Sequence, residues 1–202
     1  MTMPLLLASK SASRKMLLEQ ALIPFALVEQ NADEAQCDWT LPLAQAAQAI
    51  ARYKMDGVIL ASGHEGDICF VLTADTLSCN ADGTLSGKPM NRADAIEKIK
   101  ASRGGVTTGT AFCLDRKKYN NGAWHVDQRI EMFVKADYIF DVPDNCIEEY
   151  LEKSWALNTS GAVALELYGA QFLKEVHGSY TTIIGLPMFE LREALFKIRF
   201  MR

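Results

Sequence analysis

Three serines and three cations stand close together in residues 9–15 (SKSASRK), between the apolar run LLLA and the helix-like segment MLLEQAL. The N–H groups and the dipole at the start of a helix favour a negative charge. Ser9 and Ser11 supply hydroxyl donors, while Arg14 offers a bidentate grip and Lys15 a point charge. The stretch therefore indicates a phosphate site, with a solvated and well-capped turn as the alternative. Neither a Walker A loop nor a G-x-G-x-x-G dinucleotide fingerprint is present in the sequence.

Acidic residues follow two of the predicted strands. Asp33 and Glu34 come after a strand and a short loop, and Asp75 follows the apolar run CFVLTA. Ligands collect at strand ends in α/β sheets, and Mg²⁺ prefers carboxylates, waters and substrate phosphates. Glu34 and Asp75 are therefore predicted to form a metal site near the phosphate loop. The alternatives are a helix N-terminal acid for Asp33 and Glu34 and a turn residue for Asp75.

Two lysines are candidates for contacts with phosphate. Lys54 interrupts a helix-like segment of mainly alanine and isoleucine, and Lys88 lies in the tight loop SGKP. A lysine beside a phosphate offsets the charge that builds on a leaving pyrophosphate. A solvated surface residue is the alternative, above all for Lys54, because a lysine on a helix is usually exposed.

Helix-like and strand-like segments alternate early in the chain, and antiparallel strands follow. The pattern predicts a helix over residues 14–22, with Leu17, Leu18 and Leu22 on one face, that ends before Pro24. The alternation indicates an α/β chain with a mixed sheet, arranged as one elongated domain with two lobes. Further predicted helices cover residues 43–59, 92–101, 147–151 and 188–198, and predicted strands cover residues 4–8, 25–28, 69–74, 107–114, 124–134 and 181–184.

Two local signals mark element boundaries. Asn91 stands at the N-cap position of the helix predicted over residues 92–101. The pair Asn121-Gly122, between the strands predicted over residues 107–114 and 124–134, favours a type I′ turn. These two strands are therefore expected to form a hairpin.

Composition excludes several classes of protein. The net charge of -4 and the sequence pI of about 5.4 make a complex with a nucleic acid polymer a poor expectation. The five cysteines are scattered and contain no C-x-x-C pair, which argues against a zinc site or a disulfide framework. No apolar stretch reaches the ~18 residues of a membrane span, and no signal-peptide pattern opens the chain. A cytoplasmic protein with no membrane partner is expected.

Six motifs occur in an order that resembles the Maf family of nucleoside triphosphate pyrophosphatases. They are LLLASKSASRKMLLEQALIPF, ADE, ARYKMDGV, TADT, SGKP and GSYTTIIGLPM, and they run from Leu5 to about Leu195. The resemblance implies one domain over residues 1–202, with an elongated mixed sheet flanked by helices and two lobes with a cleft. It further implies a nucleoside triphosphate substrate, a divalent metal (Mg²⁺ or Mn²⁺) and a homodimer.

The same resemblance implies roles for individual residues. The family cleaves between the α- and β-phosphates and releases a monophosphate and pyrophosphate. Asp75 carries over as the general base that activates water, and Glu34 as a metal-associated acid needed for turnover. The remaining residues carry over to the phosphate side: they are Ser9, Arg14, Lys54 and Lys88.

Three positions distinguish two branches of the family. The branch associated with dTTP and UTP carries two adjacent arginines, the first at the position of Ser13, and a glutamine where this chain has Glu166. The branch associated with 7-methyl-GTP has a glutamate there and no first arginine, but Asp-Gln in place of Asp75-Thr76, so that Thr76 matches the dTTP and UTP branch and the three positions divide two against one. Because a carboxylate can accept hydrogen bonds from guanine N–H groups and attract a cationic methylated base, 7-methyl-GTP is slightly favoured over dTTP or UTP. A nucleotide-binding regulator of septum formation and cell division, with little turnover, is the alternative function.

Overall fold

The computed structural model describes residues 3–201, and within them the strands form one seven-stranded sheet. The short first strand, β1, pairs in parallel with β2 and with β3, whereas β4 pairs with β3, and β7 with β6, in antiparallel fashion. The prediction of an α/β fold with a mixed sheet is therefore confirmed. The strands are β1 (Leu5–Leu7), β2 (Phe25–Leu27), β3 (Ile68–Asn80), β4 (Leu85–Ser86), β5 (Val106–Asn120), β6 (Ala123–Phe140) and β7 (Leu173–His177).

The order of strands across the sheet is β2-β1-β3-β5-β6-β7, with β4 alongside β3. Leu5 and Leu7 of β1 and Leu72 of β3 are completely buried, as expected for parallel strands that are covered on both faces.

None of the helices within residues 3–201 is long and apolar enough to cross a membrane. The helices are α1 (Ala12–Gln20), α2 (Leu43–Asp56), α3 (Arg92–Ser102), α4 (Ile147–Lys153), α5 (Tyr180–Ile184) and α6 (Met188–Lys197).

The chain divides into two compact units. The first contains the chain up to Asp75, the segment Ala111–Phe133 and the chain from Gly185 onward, and its core includes Met55 and Val71. The second unit contains Thr76–Thr110 and Val134–Ile184, with the rings of Phe140, Tyr150 and Phe172 packed together. A single functional domain over residues 1–202 stays a prediction.

The strand that contains Asp75 is much longer than the apolar run predicted. Residues 69–74 were expected to end at Asp75, but β3 continues to Asn80. Ser78, beyond the run, is buried, and its Oγ lies 2.9 Å from Thr108 Oγ1, which keeps this polar part of the strand in the sheet. Asp75 therefore lies inside a strand, where the backbone on both sides of it is fixed.

Two other local predictions are wrong. Residues 181–184 were predicted as a strand from their β-branched composition, but they lie in α5, where Thr182, Ile183 and Ile184 are buried. Tertiary burial has overridden a weak β-propensity there. Leu22 was placed on the apolar face of the first helix, but α1 ends at Gln20 and Leu22 is 88% exposed.

The two turn and cap predictions are confirmed. Asn91 caps α3, since its side chain accepts a hydrogen bond from the Asp94 N–H. Asn121 and Gly122 have φ values of 53° and 79° and join β5 to β6. A type I′ turn requires positive φ at both central residues, which Asn and Gly tolerate.

Candidate active site

The centre of the site is a buried lysine between two carboxylates. Lys54 Nζ lies 2.6 Å from Asp75 Oδ1 and 2.9 Å from Glu34 Oε1. Lys54 is only 7% exposed, and it continues the buried stripe of α2 that includes Ile50 and Ala51. The surface alternative for Lys54 is therefore wrong. A buried ammonium requires charged partners, and both partners come from residues that the sequence had marked.

The side chain of Thr73 holds α2 against β3. Thr73 Oγ1 donates a hydrogen bond to the Ala51 carbonyl at 2.7 Å, and Thr73 is completely buried. Alternate residues of a strand point to the same face, so Asp75 faces the same helix one step further along. Ala51 and Lys54 both lie on α2, so this bond fixes the position of Lys54 along β3 relative to Asp75. Thr73 was not among the predicted site residues, although the sequence places it two residues before the predicted site residue Asp75.

Glu34 is held in place by its neighbour. Asp33 Oδ1 accepts a hydrogen bond from the Ala35 N–H at 3.1 Å and caps the 3-10 turn Glu34–Gln36. The helix N-terminal alternative therefore describes Asp33 correctly. The Glu34 side chain is 44% exposed, in contrast to the buried Asp75 side chain. It is therefore the more accessible of the two carboxylates.

Asp75 carries a second carboxylate oxygen that is available for chemistry. Its Oδ2 is buried and has no hydrogen-bond partner in the described part of the chain. Burial raises the pKa of Asp75 above its usual range, while the positive charges of Lys54 and Arg14 oppose that rise. A carboxylate with a raised pKa is a better proton acceptor, and an unpaired buried oxygen is the atom that would accept the proton.

The two carboxylates also suit a magnesium ion. Mg²⁺ is commonly held by one or two carboxylates, with waters and substrate phosphates completing its shell. Glu34 and Asp75 are the carboxylates that fit this pattern. Among residues 3–201 there is no cluster of three or more histidine, cysteine, aspartate or glutamate residues that would suit an all-protein metal cage.

The serine- and cation-rich loop leads into α1 as predicted. Ser11 caps the helix, with its Oγ accepting from the Arg14 N–H at 3.4 Å. Ser9 Oγ accepts from the Ser11 N–H at 3.3 Å and from Arg14 Nη1 at 3.1 Å. Both hydroxyls act as acceptors in these bonds, so each keeps its hydrogen for an incoming anion. Ser13 is buried and Lys15 is half-buried on the same helix.

Arg14 is built into the protein more deeply than its sequence context suggested. It is 8% exposed, and its Nε donates to the Gly185 carbonyl at 2.9 Å. Burial lowers the pKa of Arg14, while the charges of Asp75 and Glu34 oppose that effect. A guanidinium remains protonated in proteins, so Arg14 is a fixed positive charge. The Gly185 carbonyl that orients it was not recognised as part of the site.

The other predicted residues lie in the second unit. Lys88 is exposed on the loop that follows β4. Thr76 Oγ1 lies 2.9 Å from Thr110 Oγ1. Glu166 is 8% exposed, and its Oε1 is a buried atom with no hydrogen-bond partner within residues 3–201.

Known proteins resemble this chain over almost all of its length. A nucleoside triphosphate pyrophosphatase of Chlamydia pneumoniae is 31% identical over 198 residues, covering 96% of this chain and 94% of the relative. Two proteins named dTTP/UTP pyrophosphatase are similarly close. That of Caldicellulosiruptor saccharolyticus is 31% identical, covering 95% of this chain and 93% of its own. That of Halalkalibacterium halodurans is 32% identical, covering 95% and 94%.

The family model for Maf-like proteins matches residues 4–198. That range contains the buried lysine, both of its carboxylate partners, the capped serine loop and the Gly185 turn. The names of the relatives give no support to the expectation of 7-methyl-GTP as the favoured substrate, nor to a nucleotide-binding regulator with little turnover. This chain belongs to the family of Maf-like proteins.

Proposed function

We propose that the chain hydrolyses a nucleoside triphosphate to the monophosphate and pyrophosphate. The names of the relatives support this activity. The observation that carries it is the buried, unpartnered Oδ2 of Asp75 beside an ammonium that neutralises the other oxygen. Such a carboxylate can remove a proton from water without being displaced from its position.

In this proposal Asp75 is the general base. The water oxygen forms a bond to the α-phosphorus, and the bond from that phosphorus to the bridging oxygen breaks, so that the bridging oxygen leaves with pyrophosphate. The proton of the attacking water passes to Asp75 Oδ2. A positioned general base of this kind contributes ~10²–10⁴-fold to the rate.

The cations and the helix start act on the phosphates. Ser9, Ser11 and the N-terminus of α1 provide hydrogen-bond donors, and Arg14 provides a fixed positive charge. Lys15 and Ser13 remain proposed substrate contacts on the same helix. Lys54 favours the ionised form of Asp75, because an adjacent positive charge stabilises a carboxylate.

A divalent cation, Mg²⁺ or Mn²⁺, is part of the proposal. Glu34 and Asp75 are the residues that would hold it. When bound, the ion would neutralise phosphate charge and polarise a phosphoryl oxygen. The half-exposed Glu34 side chain suits a ligand that must also admit water and phosphate.

For the base, we propose a substrate of the dTTP or UTP type, following the names of the relatives. Thr76 and Glu166 are the proposed base-side residues. Glu166 Oε1 lacks a donor, and a buried carboxylate oxygen is normally hydrogen-bonded. Uracil and thymine present one ring N–H, which can donate a hydrogen bond to this one oxygen. 7-Methylguanine presents two N–H donors and would need two acceptors.

The decisive experiment is pyrophosphate release by the purified chain with Mg²⁺ or Mn²⁺. The panel contains dTTP, UTP, CTP, GTP and 7-methyl-GTP, at equal concentrations. We expect the highest kcat/KM for dTTP or UTP. A preference for 7-methyl-GTP would overturn the base assignment but keep the activity. Nucleotide binding without release from any member would overturn the activity and favour the regulator.

Replacing Lys54 by Met tests the electrostatic part of this proposal. Burial already raises the pKa of Asp75, and Lys54 opposes that rise. Without Lys54 the pKa rises further, so a higher pH is needed to ionise the base. We therefore expect the acidic limb of the kcat/KM profile to move to higher pH in Lys54→Met.

The matched control is Lys118→Met, which removes an exposed lysine of the same unit. Its acidic limb should coincide with that of the wild type. A Lys54→Met profile with an unchanged acidic limb would show that Asp75 is not the group that limits activity at low pH.

A further inference from the structure

A single hydroxyl group links the loop that carries Lys88 to strand β3. Ser160 Oγ donates to the Ser86 carbonyl at 2.6 Å and accepts from the Ser78 N–H at 2.9 Å. Ser78 and Ser86 face each other in register between β3 and β4. The hydroxyl of Ser160 therefore bridges two facing backbone groups of this strand pair. Next to it, the Gly161 N–H donates to the Gly87 carbonyl at 3.0 Å.

The turn that supplies this hydroxyl contains a glycine in a left-handed conformation beside the strands. Gly161 has φ +65°, and a Cβ there would be in van der Waals contact with Ser78, at 3.4 Å from its Cβ and Oγ. Ser78 and Ser86 are almost completely buried, at 1% and 4% exposed. A glycine adopts the left-handed conformation without strain. The Gly161 conformation and its bond to the Gly87 carbonyl therefore add to the two bonds of the Ser160 hydroxyl.

These bonds fix the backbone immediately before Lys88 while its side chain stays exposed. The carbonyls of Ser86 and Gly87, the two residues that precede Lys88, are both held by the turn. Lys88 itself is exposed and forms no ion pair within residues 3–201. The bonds therefore fix the point at which the Lys88 side chain leaves the backbone, while its ammonium keeps all three N–H donors for a ligand.

We propose that Ser160 is a positioning residue that presents Lys88 to a phosphate group of the substrate. The inference rests on the proposed function, since it assigns Lys88 to the triphosphate. Loss of the hydroxyl would leave the Ser78 N–H and the Ser86 carbonyl without this partner, and the loop would gain freedom. A cation that has to be ordered during the reaction stabilises the transition state less than one that is already in place.

The kinetic test compares Ser160→Ala with Lys88→Ala and with the double variant. We expect Ser160→Ala to lower kcat by ~10-fold with KM changed less than ~2-fold, because the effect falls on transition-state charge. In the Lys88→Ala background the same change should cost nothing further. Ser160→Thr, which keeps a hydroxyl, should recover most of the rate.

Ser102→Ala is the matched structural control. Ser102 is a buried serine of the same unit whose Oγ lies 2.6 Å from the Ile99 carbonyl and 2.9 Å from the Phe140 carbonyl, and within residues 3–201 it forms no hydrogen bond to Ser160 or to the Lys88 loop. It should lower stability without the kcat effect. An equal kcat loss in Ser102→Ala, or a full Ser160→Ala loss in the Lys88→Ala background, would overturn the proposal, since either result indicates a general structural effect.

Amide hydrogen exchange separates this inference from the proposed function. Ser160→Ala should speed exchange of the Ser78 and Gly161 amides, whether or not the protein has the proposed activity. Unchanged exchange at both amides would overturn the role of Ser160 as a clamp. If the wild type released no pyrophosphate from any nucleotide, the proposed function would fall, and the assignment of Lys88 to phosphate with it. Faster exchange would then show only that Ser160 holds the loop.

Discussion

Replacing Asp75 by Asn is expected to lower pyrophosphate release by ~10³-fold while the protein stays folded. The amide has the same shape as the carboxylate and can still accept a hydrogen bond from Lys54. It cannot accept a proton from water, so the general base is lost. The position of the buried Oδ2, which has no partner in the described chain, would be taken by the amide nitrogen or the carbonyl oxygen of Asn, and both atoms are weak bases.

The measurement is kcat/KM for the best nucleotide of the panel, together with circular dichroism and a thermal melt of each protein. Asp67→Asn is a suitable control, because Asp67 is an exposed aspartate of the same unit that accepts from the His64 N–H. Its activity should match that of the wild type. If folded Asp75→Asn retained more than ~10% of the rate, Asp75 would not be the base, since loss of one costs at least ~10²-fold.

Replacing Arg129 by Leu is expected to lower the free energy of unfolding by about 3 kcal/mol. Asp115 is completely buried, and Arg129 holds both of its oxygens, through Nε at 2.7 Å and Nη2 at 2.9 Å. Removing the guanidinium leaves a buried carboxylate without its main partner. Lys117 Nζ remains 3.5 Å from Asp115, which places the expected loss at the lower end of the range for broken buried pairs.

Arg52→Leu provides the comparison, because Arg52 also grips a carboxylate with two nitrogens. Its side chain is 56% exposed, and its partner Glu131 is 26% exposed. An exposed pair of this kind contributes at most about 1 kcal/mol. Urea denaturation of the two variants should therefore give clearly different midpoints. Equal losses would mean that burial does not determine the strength of these ion pairs.

Patterns within short stretches of the sequence predicted the local features of the structure. The capped serine loop and the Asn-Gly turn depend on backbone conformations that a few neighbouring residues determine. Ala46, Ala47, Ile50 and Ala51 recur at helical spacing and form the buried stripe of α2. Lys54 continues that stripe, although its place on a helix had favoured an exposed position.

Long-range contacts needed the tertiary structure. The apolar run before Asp75 did not reveal that β3 continues to Asn80, because buried hydroxyl groups in place of apolar side chains keep the strand in the sheet. The β-branched residues of α5 predicted a strand from their local propensity alone. In the folded protein they are buried in a helix, because burial outweighs β-propensity.

By itself the sequence determined the family, the α/β class and the residues capable of phosphate chemistry. Only the tertiary structure decided how they meet: Lys54 and Asp75 are 21 residues apart, Arg14 and Gly185 are 171 apart, and Ser78 and Ser160 are 82 apart. Capping and periodicity act over a few residues and can be seen in a short stretch of chain. Contacts between distant segments depend on strand pairing and close packing, which bring such residues together only when the whole core forms.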